Sequence, residues 1–139
     1  MTSIPMACSN CGSATISFSV PESYRTDAPL EASFVSFCTH CLTLEPAPDG
    51  ESAARSDPAF TRVSDAFPTQ PDRAIPLALA VGLCSSLATN RTAIELLLRE
   101  VERAGADPLL ILDRLLTDPS VDPAIDLERR RHQLEQLLY

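Results

Sequence analysis

The chain has 139 residues, close to half of them apolar, and a net charge of −8; all eleven basic residues are Arg, and neither Lys nor Trp occurs. That length accommodates one compact domain or two small ones. The acid excess argues against tight binding to a phosphate backbone, and the four scattered glycines (Gly12, Gly50, Gly82 and Gly105) exclude a Gly-rich phosphate cradle.

Composition separates three zones. Residues 1–46 carry four of the five cysteines and the strand signals. Ile16, Phe18 and Val20 alternate with Ser17 and Ser19, the period of a strand with one buried face. A second strand is predicted over Ser33–Phe37, leading into Cys38. A third, Leu42–Glu45, sets Leu42 and Leu44 on one side and stops at Pro46. Residues 47–71 are rich in Pro, Ser, Asp and Ala and read as a linker. Within it Phe60, Val63 and Phe67 share one helical face. Two readings stand for them: a short helical turn pinning the linker to a domain, or an irregular segment with incidental apolar residues. No internal repeat is evident.

Residues 72–139 are dense in Leu, Ala, Arg and Glu, and their spacing predicts four helices at about 72–88, 91–104, 108–117 and 123–138. Asp107-Pro108 and Asp122-Pro123 each place a capping carboxylate before a proline at the first helical position. Gly105 stands where a helix C-terminus needs a left-handed residue. Ile94, Leu97, Leu98 and Val101 form an apolar stripe on the second helix. The first helix is apolar nearly all round and should be the most buried. The fold class expected is α+β: a three-stranded zinc ribbon (1–46), the linker, then an antiparallel bundle of about four helices. The division predicts that Cys38→Ser unfolds the ribbon and spares the helices.

Cys8-x-x-Cys11 and Cys38-x-x-Cys41 are the one strong motif. Two residues between thiols let one turn aim both sulfurs at one point, with turn N–H groups donating to them. Gly12, directly after Cys11, suits a turn needing positive φ. Two such turns make a closed thiolate site for one structural Zn2+. A segment under fifty residues buries too little apolar surface to fold unaided, and the metal supplies the difference. An iron–sulfur cluster also accepts four Cys. His40, inside the second pair, is expected as a turn residue outside the ligand shell. Cys84 lies alone on the apolar first helix and reads as a small core hydrophobe; thiol catalysis would need a neighbouring His, and only His40 and His132 exist.

Other signals are weaker. Arg129–Arg131 with His132 is a basic run, read as a solvated helix face laced by Asp126–Arg130 and Arg131–Glu135 pairs. Glu22, Asp27 and Glu31 surround the long loop of the ribbon and read as solvated charges. No two carboxylates are singled out for acid–base chemistry. Asn90-Arg91-Thr92 matches a glycosylation acceptor but sits at a predicted helix start. The first twenty residues lack a basic start followed by an apolar run. The longest apolar run, Ile75–Leu83, is broken by Pro76 and Gly82 and falls short of a membrane span. A cytoplasmic location is therefore expected, with reduced thiols.

Several stretches resemble a group of haloarchaeal zinc-ribbon proteins, a domain of unknown function. They are Cys8-Ser9-Asn10-Cys11-Gly12, Val20-Pro21 with Tyr24-Arg25, and Cys38-Thr39-His40-Cys41-Leu42. Ser64-Asp65-Ala66-Phe67-Pro68 and Arg103-Ala104-Gly105-Ala106-Asp107-Pro108-Leu109-Leu110 extend the likeness over most of the chain. Ser9 stands where the group usually has proline, which loosens the turn without removing a ligand. The resemblance implies zinc and halophily, and no activity.

The function expected is a non-enzymatic zinc-ribbon adaptor or regulator with a protein partner. Nucleic-acid binding is the alternative, disfavoured because Arg25 is the one basic residue before position 47 against four acids. A thiol redox protein using one CxxC pair is the third reading.

Overall fold

A computed structural model describes residues 8–47 and 60–138. The chain opens with an antiparallel sheet of β1 (Thr15–Ser19), β2 (Phe34–Cys38) and β3 (Leu44–Pro46), in that order across the sheet. Ile16 lies opposite Phe37, Phe18 opposite Val35, and Phe37 opposite Leu44. Opposed residues share a face, so the alternation in β1 gives the sheet one apolar, buried side. The loop from β1 to β2 coils into two short 3₁₀ turns, closed where Val20 N–H donates to the Ser33 carbonyl at 2.7 Å. β3 starts at Leu44, not Leu42, because Leu42 is held at φ +64° in the turn after Cys41.

Phe60, Val63 and Phe67 are all buried to 2% exposure or less, and Phe60 opens a 3₁₀ turn at Phe60–Arg62. The Phe60 ring lies 5.4 Å from Phe18 and 5.7 Å from Phe67, which is 5.8 Å from Phe37. Aromatic contacts of this kind join the sheet to the second half of the expected linker. The rest of that linker, residues 48–59, lies outside the described residues.

Four α-helices follow: α1 (Pro71–Leu83), α2 (Leu87–Arg103), α3 (Pro108–Thr117) and α4 (Leu127–Leu138). Every residue of α1 from Ala74 to Val81 is buried, as its all-round apolar composition predicts. A 3₁₀ turn at Cys84–Ser86 ends it before residue 88, and Asn90, at φ −110° and ψ 18°, bends the start of α2. Asn90 Nδ2 donates to the Leu83 carbonyl at 3.4 Å across this corner. Arg73 at the start of α1 donates to the Ala104 carbonyl at the end of α2 at 2.9 Å, so the two helices run antiparallel. Gly105, at φ +104°, terminates α2 with Ala106 N–H donating to the Val101 carbonyl at 3.1 Å.

Asp107 caps α3 as expected, accepting from Leu110 N–H at 3.2 Å. Asp122 does not cap α4. Asp122 N–H donates to the His40 carbonyl at 2.8 Å and Ala124 N–H to the Cys41 carbonyl at 2.9 Å. These bonds hold the segment extended, and Asp126 caps α4 instead, accepting from Arg129 N–H at 3.1 Å. The expected Asp126–Arg130 pair is replaced by a bond from Arg130 to Gln133 Oε1 at 2.9 Å. Arg131 does pair with Glu135, at 2.9 Å, and also reaches Asp113 on α3 at 2.8 Å.

Because the 3₁₀ turn continues the helical path, Pro71–Arg103 is long and apolar enough, by length and composition, to cross a membrane; its most apolar window is 44% buried in the fold. This differs from the expectation that Pro76 and Gly82 interrupt the run. In the fold α1 packs against β3 and α2. One buried cluster runs from Ile16 and Phe37 of the sheet through Phe60 and Phe67 to Leu134 and Leu138 of α4, so all three compositional zones share a core.

Gly82 sets how closely α1 approaches the sheet. A Cβ there would stand 2.8 Å from Leu44 Cδ2 and 2.9 Å from Leu44 Cβ. Gly82→Ala gains about 1 kcal/mol of helix propensity, but overpacking costs about 1–3 kcal/mol. The expected result is net destabilisation in urea titration, reversed in the Gly82→Ala, Leu44→Gly double variant relative to Leu44→Gly alone. A Gly82→Ala chain more stable than the parent would refute the close contact.

Candidate metal centre

The two cysteine pairs occupy turns of the same construction. In the first, Cys8 N–H donates to the Ser13 carbonyl at 2.9 Å; in the second, Cys38 N–H donates to the Thr43 carbonyl at 2.9 Å. Each turn aims N–H groups at its leading sulfur: Asn10 N–H at Cys8 Sγ, and His40 and Cys41 N–H at Cys38 Sγ, all at 3.3 Å. Each also passes through a left-handed residue after the second cysteine, Gly12 at φ +78° and Leu42 at φ +64°. Gly12 meets this without strain. Leu42 meets it with a side chain that is 4% exposed and joined to the core, so burial offsets its backbone cost. The likeness is visible in the sequence as Cys8-Ser9-Asn10-Cys11-Gly12-Ser13 against Cys38-Thr39-His40-Cys41-Leu42-Thr43, a six-residue repeat that periodicity at domain scale misses.

The sheet brings the turns face to face, one before β1 and the other after β2. Thr39 N–H and Oγ1 both donate to the Ala14 carbonyl, at 3.1 and 2.8 Å. Ser9 Oγ and N–H donate to the Glu45 carboxylate, linking the first turn to β3. The Sγ atoms of Cys8, Cys11, Cys38 and Cys41 all lie within 4.8 Å of one another. Cys8 Sγ is 3.5 Å from Cys41 Sγ, and Cys11 Sγ 3.5 Å from Cys38 Sγ. Zn–S bonds of about 2.3 Å in a tetrahedron set neighbouring sulfurs about 3.8 Å apart, within the observed range. The four side chains therefore fit a single tetrahedral ion. Cys8, Cys38 and Cys41 are buried and Cys11 is exposed.

The family model described as a family of unknown function, DUF6276, matches residues 7–138. The chain belongs to DUF6276. No curated protein and no solved structure matches it.

The thiols of this DUF6276 chain sit in unequal electrostatic surroundings. Burial pushes the Cys38 thiol up to about 12 against its two N–H donors. Burial also works against the Cys41 thiolate, but Thr43 and Asn10 outweigh it and bring the group down to about 6. Thr43 Oγ1 lies 3.0 Å and Asn10 Nδ2 3.6 Å from Cys41 Sγ. The Ser13 hydroxyl and N–H lower Cys11. Placing four thiolates this close calls for a cation among them, and the donors that ring the sulfurs spread the remaining negative charge. Sequence reasoning missed Asn10 and Thr43, whose contact with Cys41 arises only when the two turns meet.

His40 is no ligand. Its Nδ1 is 2.8 Å from the Ser120 carbonyl, in the strap between α3 and α4. The strap is anchored at its other end by Asp118, which accepts from Ser120 N–H at 2.9 Å, Ser120 Oγ at 2.7 Å and Ser64 Oγ at 2.5 Å. These bonds, that from Ser64 first, hold the Asp118 carboxyl below its usual range. With the two backbone bonds to His40 and Cys41, the strap fastens the second cysteine turn to the helical half. Cys84 takes no part: it is 1% exposed in the core, and burial pushes its thiol up to about 11 against the pull of Arg130. Of the loop acids, Glu22 and Glu31 are exposed, and Asp27 is half-buried with its carboxyl raised by burial. Among the described residues, the four cysteines are the ligating side chains that converge.

Proposed function

We propose that this protein is a non-enzymatic zinc-ribbon module acting as a protein-interaction adaptor or regulator in a salt-rich cytoplasm. The observation that carries the proposal is the convergence of four sulfurs within 4.8 Å under a ring of N–H and O–H donors. Four thiolates fill a zinc ion's shell and leave no position for water, so the ion would hold structure and not activate a nucleophile. The net charge of −8 without Lys supports the saline setting. Support for the adaptor role comes from Leu30, which is 90% exposed on the second 3₁₀ turn of the β1–β2 loop. Leu30 and Glu31 both hold left-handed φ, +55° and +53°. Folding alone does not require a large apolar side chain held in solvent on a strained backbone.

Native mass spectrometry is expected to find one zinc per chain; a disulfide without metal would shift the reading to a thiol redox protein. Affinity capture at native salt is expected to retain a protein partner with the wild type and lose it with Leu30→Asp. A stoichiometric, salt-resistant complex with nucleic acid would replace the adaptor with a nucleic-acid-binding ribbon.

A further inference from the structure

Among the described residues three arginines pair with a carboxylate: Arg99 with Glu95 at 3.3 Å, Arg103 with Glu100 at 2.6 Å, and Arg131 with Asp113 at 2.8 Å. Arg91 and Arg130 do not, and they stand together. Both line one cavity of about 300 Å³ between the start of α2 and α4, whose described lining residues include no Asp or Glu. Among the described residues the Arg91 side chain has no hydrogen-bond or ion-pair partner, and the Arg130 side chain donates to the neutral amide of Gln133 at 2.9 Å. The acids nearest along the chain are occupied elsewhere. Glu95, one turn beyond Arg91, lines an adjoining cavity with it and is held by Arg99 at 3.3 Å. Asp126, one turn before Arg130, accepts from Arg129 N–H at 3.1 Å. Leu87, Ala88 and Leu137 supply the cavity's apolar side.

We infer that this cavity binds a small organic anion, its charged head between Arg91 and Arg130 and its apolar body against Leu87, Ala88 and Leu137. Two guanidinium groups lining one cavity with no counter-ion among its described residues repel each other, and an anion removes that repulsion while gaining charge-assisted hydrogen bonds. The volume lies at the lower limit for ligand pockets, which restricts the body to a short chain or single ring. The site is remote in sequence from the cysteine turns and does not depend on the zinc reading.

The test uses the full metal-loaded chain at constant ionic strength, with hexanoate as probe and amide chemical shifts as readout. Saturable shifts at Leu87, Ala88 and Leu137 are expected, with affinity rising from butyrate to hexanoate. Hexan-1-ol, which lacks the charge, should give none. Arg91→Gln and Arg130→Gln should each weaken hexanoate at least about tenfold. Both side chains reach solvent, so the variants should fold, which an unchanged far-UV spectrum would verify. The inference is overturned by linear, unsaturable shifts, by equal response to the alcohol, or by affinity unchanged in both variants. The chain-length series on the wild type decides the matter without either variant.

Discussion

Cys38→Ser, or removal of the metal by a chelator, is expected to unfold the whole chain in one transition, with loss of most of the far-UV helix signal. Structural zinc in small peptides contributes on the order of 10–16 kcal/mol, whereas a domain of this size is stable by about 5–15 kcal/mol in total. A loss of that size exceeds what the rest of the fold has in reserve. The boundary drawn from composition would confine the damage to residues 1–46. The structure changes the expected outcome, because Phe18 and Phe37 share one cluster with Leu77, Leu112 and Leu134. Every α1 residue from Ala74 to Val81 is buried, so losing the sheet exposes a face with nothing else to cover it. The strap bonds to His40 and Cys41, at 2.8 and 2.9 Å, carry the disturbance to the start of α4 as well. Circular dichroism and thermal melting of the metal-free chain measure this directly. A metal-free chain that keeps its helix signal and melts cooperatively would mean that the helical half stands alone.

Phe67→Ala is expected to destabilise the fold by about 3–5 kcal/mol, the range for removing a buried aromatic side chain. Phe67 is 2% exposed and touches Phe60 at 5.7 Å and Phe37 at 5.8 Å, so its removal opens a cavity on both sides. The rigid sheet on one side and the 3₁₀ turn on the other leave little to collapse inward. Urea titration of the metal-loaded chain gives the number, and the slope of the transition should stay unchanged. A loss below about 1 kcal/mol would identify residues 60–67 as a peripheral strap and not part of the core.

The sequence made the metal site more legible than its surroundings. The spacing of Cys8, Cys11, Cys38 and Cys41 names the four side chains that converge, because a two-residue gap has one compact way to point both thiols at one centre. Gly12 was visible for the same local reason. Leu42 was not: its alternation with Leu44 reads as a strand, but the turn needed a left-handed residue there and the core accepted the side chain. Asp122-Pro123 carried a sound capping signal that tertiary hydrogen bonds from residues 122 and 124 to the second cysteine turn overrode.

Local chemistry written into the chain thus determined the four converging cysteines, the three strands, the four helices and the caps at Asp107 and Gly105, since each depends on neighbours within a few positions. Tertiary structure alone decided what lies between those elements. It placed Phe60 and Phe67 in the core, brought Asn10 and Thr43 to Cys41, seated Gly82 on Leu44 and fastened His40 to Ser120. The physical reason is that a side chain's worth in these places comes from partners tens of residues away, and periodicity reports only which way a residue faces, not what it meets there.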